Sequence, residues 1–218
     1  NGPAEYGYAR CTVTGADSGF VIVGLAGVPV KAILKNCFAE VHGSAAFHVA
    51  DFEGDEIHLI NCRSRLSGAN QSRVSLRIGP GSTTIDQFTE IWATLDVDLR
   101  DDPSKYYGSV GHFNSCPGKL TVRDWETLDD NNNLLGTVYK FHWSSEESLD
   151  LTIERGFFRG VLTVCRNFNA VDVNFERICN IRVGRTAYIQ RGAIIGSLVE
   201  TPAFLLVKGT RKIFMEDV

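Results

Sequence analysis

The residues in this chain best suited to acid–base chemistry are five histidines. His48, His58 and His142 lie in strand-like runs, where no motif places an acid or a nucleophile beside them. A general base needs such a partner within hydrogen-bonding reach. We therefore interpret the histidines as polar-face side chains and predict no catalytic residue and no enzymatic activity. The full set is His42, His48, His58, His112 and His142.

Motifs for nucleophiles, metals and nucleotides are also missing. The chain has no GxSxG, HExxH or P-loop motif, and the glycine-rich segment 79–82 lacks the lysine of a phosphate-binding loop. None of the six cysteines forms a CxxC pair, and no Cys/His group has the spacing of a zinc site. The sequence thus predicts no cofactor, no metal and no small-molecule substrate.

The cysteines are Cys11, Cys37, Cys62, Cys116, Cys165 and Cys179. Three of them, Cys37, Cys62 and Cys165, lie within apolar or strand-like runs. We interpret them as buried free thiols of a protein from a reducing compartment rather than as a disulfide framework.

Two clusters of carboxylates could bind a hard cation such as calcium. One contains Asp96, Asp98, Asp101 and Asp102, and the other contains Asp51, Glu53, Asp55 and Glu56. Alternate residues of a strand project in parallel and seldom surround an ion. We therefore expect a solvated strand face and acidic loops, the second of which could lie at an interface.

Basic and aromatic residues offer two binding chemistries. Arg63, Arg65, Arg73 and Arg77 form the most basic local patch, which suits RNA or an acidic partner, although a solvated face is the simpler interpretation. Five aromatic residues could line a platform for sugars. These are Tyr106, Tyr107, Trp125, Tyr139 and Trp143.

The overall composition excludes several classes of protein. Hydrophobic residues make up 44% of the 218 positions, which is enough for a core, and the net charge is −4. No terminal segment is rich in lysine or arginine, so strong autonomous nucleic-acid binding is not expected. No apolar run approaches the roughly 20 residues that span a bilayer.

Alternation of apolar and polar residues predicts many short strands. It is clear over 91–100. Ile91, Ala93 and Leu95 fall on the side predicted to face the core and Asp96 on the side predicted to face solvent, with Trp92 as the exception. The same pattern recurs at 74–78, 120–123, 149–154 and 171–176, and turn signals separate these runs. About ten short strands predict an all-β sandwich or barrel.

One segment has a helical period instead. Val30, Ile33, Leu34 and Cys37 fall at i, i+3, i+4 and i+7, and Pro29 precedes them. The sequence predicts a short helix here, with Cys37 on its buried face and a strand beginning near Ala46.

A possible repeat offers an alternative. Asn36-Cys37 and Asn61-Cys62 are 25 residues apart, a spacing that could be one coil of a β-helix. A solenoid should show at least three repeats, and at Gln87, the next position, the pattern is lost. We therefore favour the sandwich over the β-helix.

The segment from Val28 to Val49 resembles the jelly-roll coat proteins of picorna-like plant viruses with comovirus-like or nepovirus-like capsids. The resemblance lies in a first strand at 20–25, the Pro29-Val30, Ile33-Leu34 and Lys35 helix pattern, and a strand that Gly43 opens. A second match, over 160–184, is similar to the last two strands of such a domain.

This resemblance implies an eight-stranded antiparallel jelly-roll β-sandwich with one or two short helices. It implies one domain over 1–218, with a core at about 19–184 and a C-terminal extension at 185–218. The implied function is a structural capsid protein, released from a polyprotein, that assembles with related subunits into an icosahedral shell around viral RNA. Its partners would be other capsid subunits and, weakly, RNA, with no membrane. Its location would be the virion and, during assembly, the host cytoplasm.

Two alternatives stay open. One is a β-sandwich carbohydrate-binding or adhesion module, and the other is a β-helix fragment of a phage tail or polysaccharide lyase.

Overall fold

A computed structural model describes residues 4–22, 24, 27–50, 52–68, 74–97, 110–112, 118–140, 149–176, 179–195, 204–207 and 212–218. These residues are almost entirely β. In chain order the strands are β1 Ala4–Ala9, β2 Thr12–Ala16, β3 Phe20–Ile22, β4 Val30–Lys35, β5 Phe38–Val41, β6 Ala45–Val49, β7 Glu56–Ile60, β8 Arg63–Leu66, β9 Val74–Ile78, β10 Gly81–Trp92, β11 Val110–His112, β12 Gly118–Asp129, β13 Thr137–Lys140, β14 Leu149–Glu176, β15 Cys179–Gln190, β16 Ala193–Ile195, β17 Phe204–Val207 and β18 Lys212–Glu216.

The strands stack in three columns, one on each face of a coiled chain. Face one carries β1, β4, β7 and the first parts of β10, β12 and β14, each paired with the next. Residues 167–171 of β14, the second half of β15 and β18 form the later rungs of this face. Face two begins with β2, β5, β8 and the second halves of β10 and β12. Face three begins with β3, β6, β9, β11 and β13. The chain is a three-faced parallel β-helix.

The predicted antiparallel jelly roll is wrong. All pairings between the strands named above are parallel, and the antiparallel contact among the described residues is an isolated bridge between Leu128 and Leu134. Alternation of apolar and polar residues shows that one side of a strand faces a core, but it carries no information on the direction of the neighbouring strand. The sequence therefore predicted the β character correctly and the pairing incorrectly.

The predicted helix at Val30 is also wrong, because these residues form strand β4. Val30, Ala32 and Leu34 are buried, and Ile33, which the helical period placed on the buried face, is 43% exposed. Val30 and Leu34 lie on one face in a helix and also in a strand, so the choice between these two structures depended on the residues between them. A 3₁₀ turn spans Thr94–Asp96, and no helix in the described part of the chain is long and apolar enough to cross a membrane.

The strand predicted at 91–100 ends at Trp92, and the predicted alternation is lost in the 3₁₀ turn that follows. Trp92 is fully buried and Asp96 is 5% exposed, whereas Leu95, which was predicted to face the core, is 94% exposed. Residues 98–100 lie outside the described residues. The strands predicted at 74–78, 120–123 and 149–154 are confirmed, and Leu149, Leu151 and Ile153 face the core as expected.

The interior is a stack of like side chains from successive coils. Phe20 and Phe47 stack with ring centroids 5.2 Å apart, Phe47 meets Phe88 at 5.7 Å, and Phe88 meets Trp125 at 4.4 Å. A fully buried side chain of this size contributes about 1.5–3 kcal/mol relative to an exposed one. Aromatic contacts between coils therefore hold the helix together along its axis.

The corner between faces one and two uses one residue with positive φ in each coil. The φ angles are near 50–60°, the left-handed region that asparagine and aspartate enter more readily than most residues. The corner residues are Arg10, Asn36, Asn61, Gln87, Asp124, Arg155, Asp172, Arg191 and Asp217. Gln87, where the sequence repeat was lost, is thus the next corner after Asn61. The β-helix alternative therefore describes the fold better than the sandwich that we favoured from the sequence.

Candidate binding groove

A groove of about 490 Å³ opens on face one where the chain enters that face. Its lining includes a row of side chains that are register partners in four successive rungs: Glu56, Ser82, Lys119 and Asp150. Their side chains all point outward because alternate residues of each strand face the core. At about 4.8 Å per rung, the row extends roughly 14 Å along the helix axis.

Glycines at the start of two rungs form the floor of the groove. Gly81 has φ +128°, and a Cβ on it would lie 2.8 Å from the carbonyl oxygen of Asp55. A Cβ on Gly118 would collide with the carbonyl oxygen of Gly81. The backbones of successive coils approach too closely here for a side chain, so the floor is bare main chain.

Asp55 stabilises the turn that precedes β7 and leads into the groove. The residue is 1% exposed, and its carboxylate accepts hydrogen bonds from the backbone amides of Val30 at 2.8 Å, Phe52 at 3.1 Å and Gly24 at 3.3 Å. A buried carboxylate is tolerated when donors surround it in this way. Asp55 therefore has a structural role, and both of its carboxylate oxygens already accept hydrogen bonds from the backbone.

Glu56 and Asp150, at the two ends of the row, are both held in the ionised form. The His58 ring lies 2.9 Å from the Glu56 carboxylate and lowers its pKa, with a smaller effect from Lys31 at 3.9 Å. The Arg166 guanidinium binds Asp150 through two nitrogens, and Asn167 donates to the same carboxylate at 2.7 Å. These contacts, Arg166 first, lower the pKa of Asp150. Both carboxylates accept hydrogen bonds at neutral pH, and neither has the raised pKa of a general acid.

The acidic cluster at 51–56 contributes two residues to this groove. Glu53 and Glu56 line it and are exposed, Asp55 is buried, and Asp51 lies outside the described residues. In the other cluster Asp96 is buried in the 3₁₀ turn, while Asp98, Asp101 and Asp102 lie outside the described residues. Among the residues that the structure describes, no three His, Cys, Asp or Glu side chains come together as a metal site.

The four arginines predicted as a basic patch do not share one face. Arg63 and Arg65 belong to face two and Arg77 to face three, while Arg73 lies outside the described residues. Arg65 pairs with Glu40 and, through two hydrogen bonds of 3.1 Å, with Asp130. Its charge is therefore neutralised locally.

The predicted aromatic platform is contradicted at Trp125, which is 3% exposed and packs on Phe88. Tyr106, Tyr107 and Trp143 lie outside the described residues, as does the side chain of Tyr139. Sequence reasoning also missed Ser82, Lys119, Asp150 and Arg166 as neighbours. The available signal was a glycine followed by a polar residue, at 81–82 and 118–119, before an alternating strand.

The buried thiols are confirmed where they are described. Cys37, Cys62 and Cys165 are buried and free, and Cys11 is a free, partly buried thiol. The Cys116 thiol and the Cys179 side chain lie outside the described part. Burial raises the pKa of all three buried thiols, to about 11 for Cys62 and about 12 for Cys165.

The fold and the groove together define a parallel β-helix with a polar groove on one face. Comparison with family models, with curated proteins and with solved structures finds no match for this chain.

Proposed function

We propose that this chain is a non-catalytic β-helix module that binds a linear, hydroxyl-rich polymer, a polysaccharide, along the groove of face one. The observation that carries the proposal is the row Glu56, Ser82, Lys119 and Asp150, which presents one polar side chain per rung beside a floor of bare main chain.

The geometry suits an extended polymer better than a compact ligand. Stacked coils offer hydrogen-bonding groups at a constant step of about 4.8 Å along a straight line. A polymer that lies parallel to the axis meets a new rung at each step, and solenoids commonly bind ligands over such extended surfaces. The glycine floor lets the polymer approach the backbone.

The chemistry of the row favours binding over cleavage. Hydrolysis of a glycosidic bond uses a carboxylic acid with a raised pKa that protonates the leaving oxygen. The pKa values of Glu56 and Asp150 are lowered instead, so both act as hydrogen-bond acceptors for hydroxyl groups. Lys119 supplies donors between them.

Titration calorimetry of the full chain with linear oligosaccharides of increasing length tests the proposal. Affinity should rise with length until the oligomer covers the row. Lys119→Ala should weaken the binding of neutral oligosaccharides roughly tenfold, because a hydrogen bond to a charged group contributes about 1.5–3 kcal/mol. The matched control is Lys35→Ala, an exposed lysine on face one outside the groove, which should leave the affinity unchanged. Absence of binding to neutral, acidic and amino oligosaccharides would refute the proposal.

The shell role implied by the resemblance stays a prediction. Its structural argument was an antiparallel jelly-roll β-sandwich, which does not apply to a β-helix. Electron microscopy of the chain expressed with candidate partner subunits tests it directly, since the shell role requires closed particles.

A further inference from the structure

Resting on the proposed function, we infer that the polymer bound in the groove carries protonated amino groups, and that the groove discriminates against acidic polysaccharides. The starting observation is the charge of the lining. Four carboxylates, Glu53, Asp55, Glu56 and Asp150, line the groove with two cations, Lys119 and Arg166, so the lining has a formal charge of −2. Lys31, beside the groove, lies 3.9 Å from Glu56 and leaves a net charge of −1.

One of the two cations is already engaged. The Arg166 guanidinium binds both oxygens of Asp150, with Nε to Oδ1 at 2.8 Å, and its side chain is only 33% exposed. An acidic polymer would have to displace Asp150 from Arg166 to use this charge. Lys119 is then the cation in the described lining that can meet an anionic ligand, and Asp150 in the next rung offsets part of its field.

Negative charge remains available at the other end of the groove. Glu56 is 48% exposed along its side chain, and it is ionised beside His58 at 2.9 Å and Lys31 at 3.9 Å, which lower its pKa. Glu53, three residues earlier, is exposed and lines the same groove. Asp55 between them contributes no acceptor, because three backbone amides occupy it. An ammonium group has three donors and no acceptor, so it matches two carboxylates at this end.

The physical consequence is a selectivity among sugars with the same backbone. An amino sugar gains a charge-assisted hydrogen bond to Glu53 or Glu56, which is roughly twice as strong as a neutral one. An N-acetylated sugar keeps only neutral hydrogen bonds. A uronic acid places like charge against these carboxylates and is disfavoured.

Calorimetry with three oligomer series of equal length tests this inference on the full chain. The probes are glucosamine oligomers, N-acetylglucosamine oligomers and galacturonate oligomers at pH 6, in 50 and 300 mM salt. We expect the amino series to bind at least tenfold more tightly than the acetylated series in 50 mM salt. This preference should shrink in 300 mM salt because screening weakens partly exposed ion pairs.

Glu53→Gln and Glu56→Gln should each reduce the ratio of the two affinities several-fold. Glu126→Gln, which removes an exposed carboxylate on face two, should leave the ratio unchanged, and circular dichroism checks that each variant is folded. Equal affinity for amino and acetylated oligomers, or tightest binding of galacturonate, would overturn the inference while polymer binding itself stands. Binding of none of the three series would instead refute the proposed function.

Discussion

At the scale of single residues, backbone conformation explains why asparagine stands at two corners of the coiled chain, which composition does not explain. Asn36 and Asn61 both have positive φ, and the Asn61 side-chain amide donates to the side-chain oxygen Oδ1 of Asn36 at 2.7 Å. Asparagine therefore does two things at these positions: it adopts the left-handed corner conformation, and it forms a hydrogen bond between neighbouring coils. This is the physical meaning of the 25-residue spacing between the two Asn-Cys pairs.

Asn61→Ala should destabilise the protein by about 1–2 kcal/mol, because alanine resists the left-handed conformation and removes the hydrogen bond. Asn61→Gly loses the same hydrogen bond but tolerates positive φ, so it should cost less. Urea unfolding of the two variants measures the difference. Equal losses would mean that the corner is not strained in the alanine variant.

The buried thiols should resist alkylation in the native state. The thiolate is the reactive form, and pKa values of about 11 for Cys62 and about 12 for Cys165 keep both protonated at pH 8. We expect iodoacetamide to modify Cys11 in the folded protein and to modify Cys62 and Cys165 only after unfolding in urea. Peptide mapping by mass spectrometry distinguishes the sites, and rapid native modification of Cys165 would contradict its burial.

The pair between Asp150 and Arg166 should make stability depend on pH in acid. The pKa of Asp150 is lower in the folded chain than in the unfolded one, so its stabilisation is complete above the unfolded value near 3.9. It is lost as the pH falls through the lower folded value. Asp150→Asn should therefore cost about 0.5–1 kcal/mol at pH 7 and less near pH 2, as urea unfolding at each pH would show.

Glu126→Gln is the matched control for this pH series, because it neutralises an exposed carboxylate of face two. It should change the free energy of unfolding little at either pH. A loss for Asp150→Asn that is the same at pH 7 and pH 2 would mean that the effect is not due to the charge of this residue.

At the scale of elements, the corner between faces one and two shows how successive coils are kept in register. In the C-terminal half the corner residues alternate in charge: Asp124, Arg155, Asp172, Arg191 and Asp217. Arg155 binds Asp124 through two hydrogen bonds of 2.8 Å, and Arg191 binds Asp172 at 2.8 and 3.0 Å. The pairs are exposed and so contribute little to stability, but like charges would meet if a coil shifted.

The glycine floor of the groove should be sensitive to the smallest side chain. Gly118→Ala places a methyl group against the Gly81 carbonyl oxygen, and we expect a loss of about 1–3 kcal/mol from the forced separation of two coils. Gly7→Ala is the matched control, because a Cβ at Gly7 meets no atom within 4 Å. Urea unfolding should show Gly7→Ala within about 0.5 kcal/mol of the parent chain.

At the scale of the whole molecule, stability depends on contacts between neighbouring coils. In a solenoid each repeat contacts mainly the repeats beside it, so a defect at the centre separates two halves. Phe88 lies at such a position, because its ring contacts Phe47 on one side and Trp125 on the other.

Phe88→Ala should cost about 3–5 kcal/mol, the usual loss for a fully buried phenylalanine. Phe214→Ala changes a half-exposed ring in the last described rung and should cost less than about 1 kcal/mol. Thermal and urea unfolding compare the two variants. Similar losses at both positions would indicate that the central stack does not couple the coils.

The sequence by itself determined the local properties of this protein. It predicted the β character, the inward side of strands such as 149–154 and the buried free thiols, because each depends on residue type and short-range period. It could not determine that β4 is a strand, since Val30 and Leu34 fit both periods. Nor could it count the coils, because consecutive corner residues are separated by 17 to 37 positions.

Only the tertiary structure decided the direction of strand pairing and the composition of the groove. Strand partners are chosen by contacts between residues far apart in the chain, and alternation is the same for parallel and antiparallel neighbours. The groove joins Glu53 to Arg166 because five coils stack in one register. The sequence therefore specified what each strand buries, and the stacking of coils decided which polar residues meet.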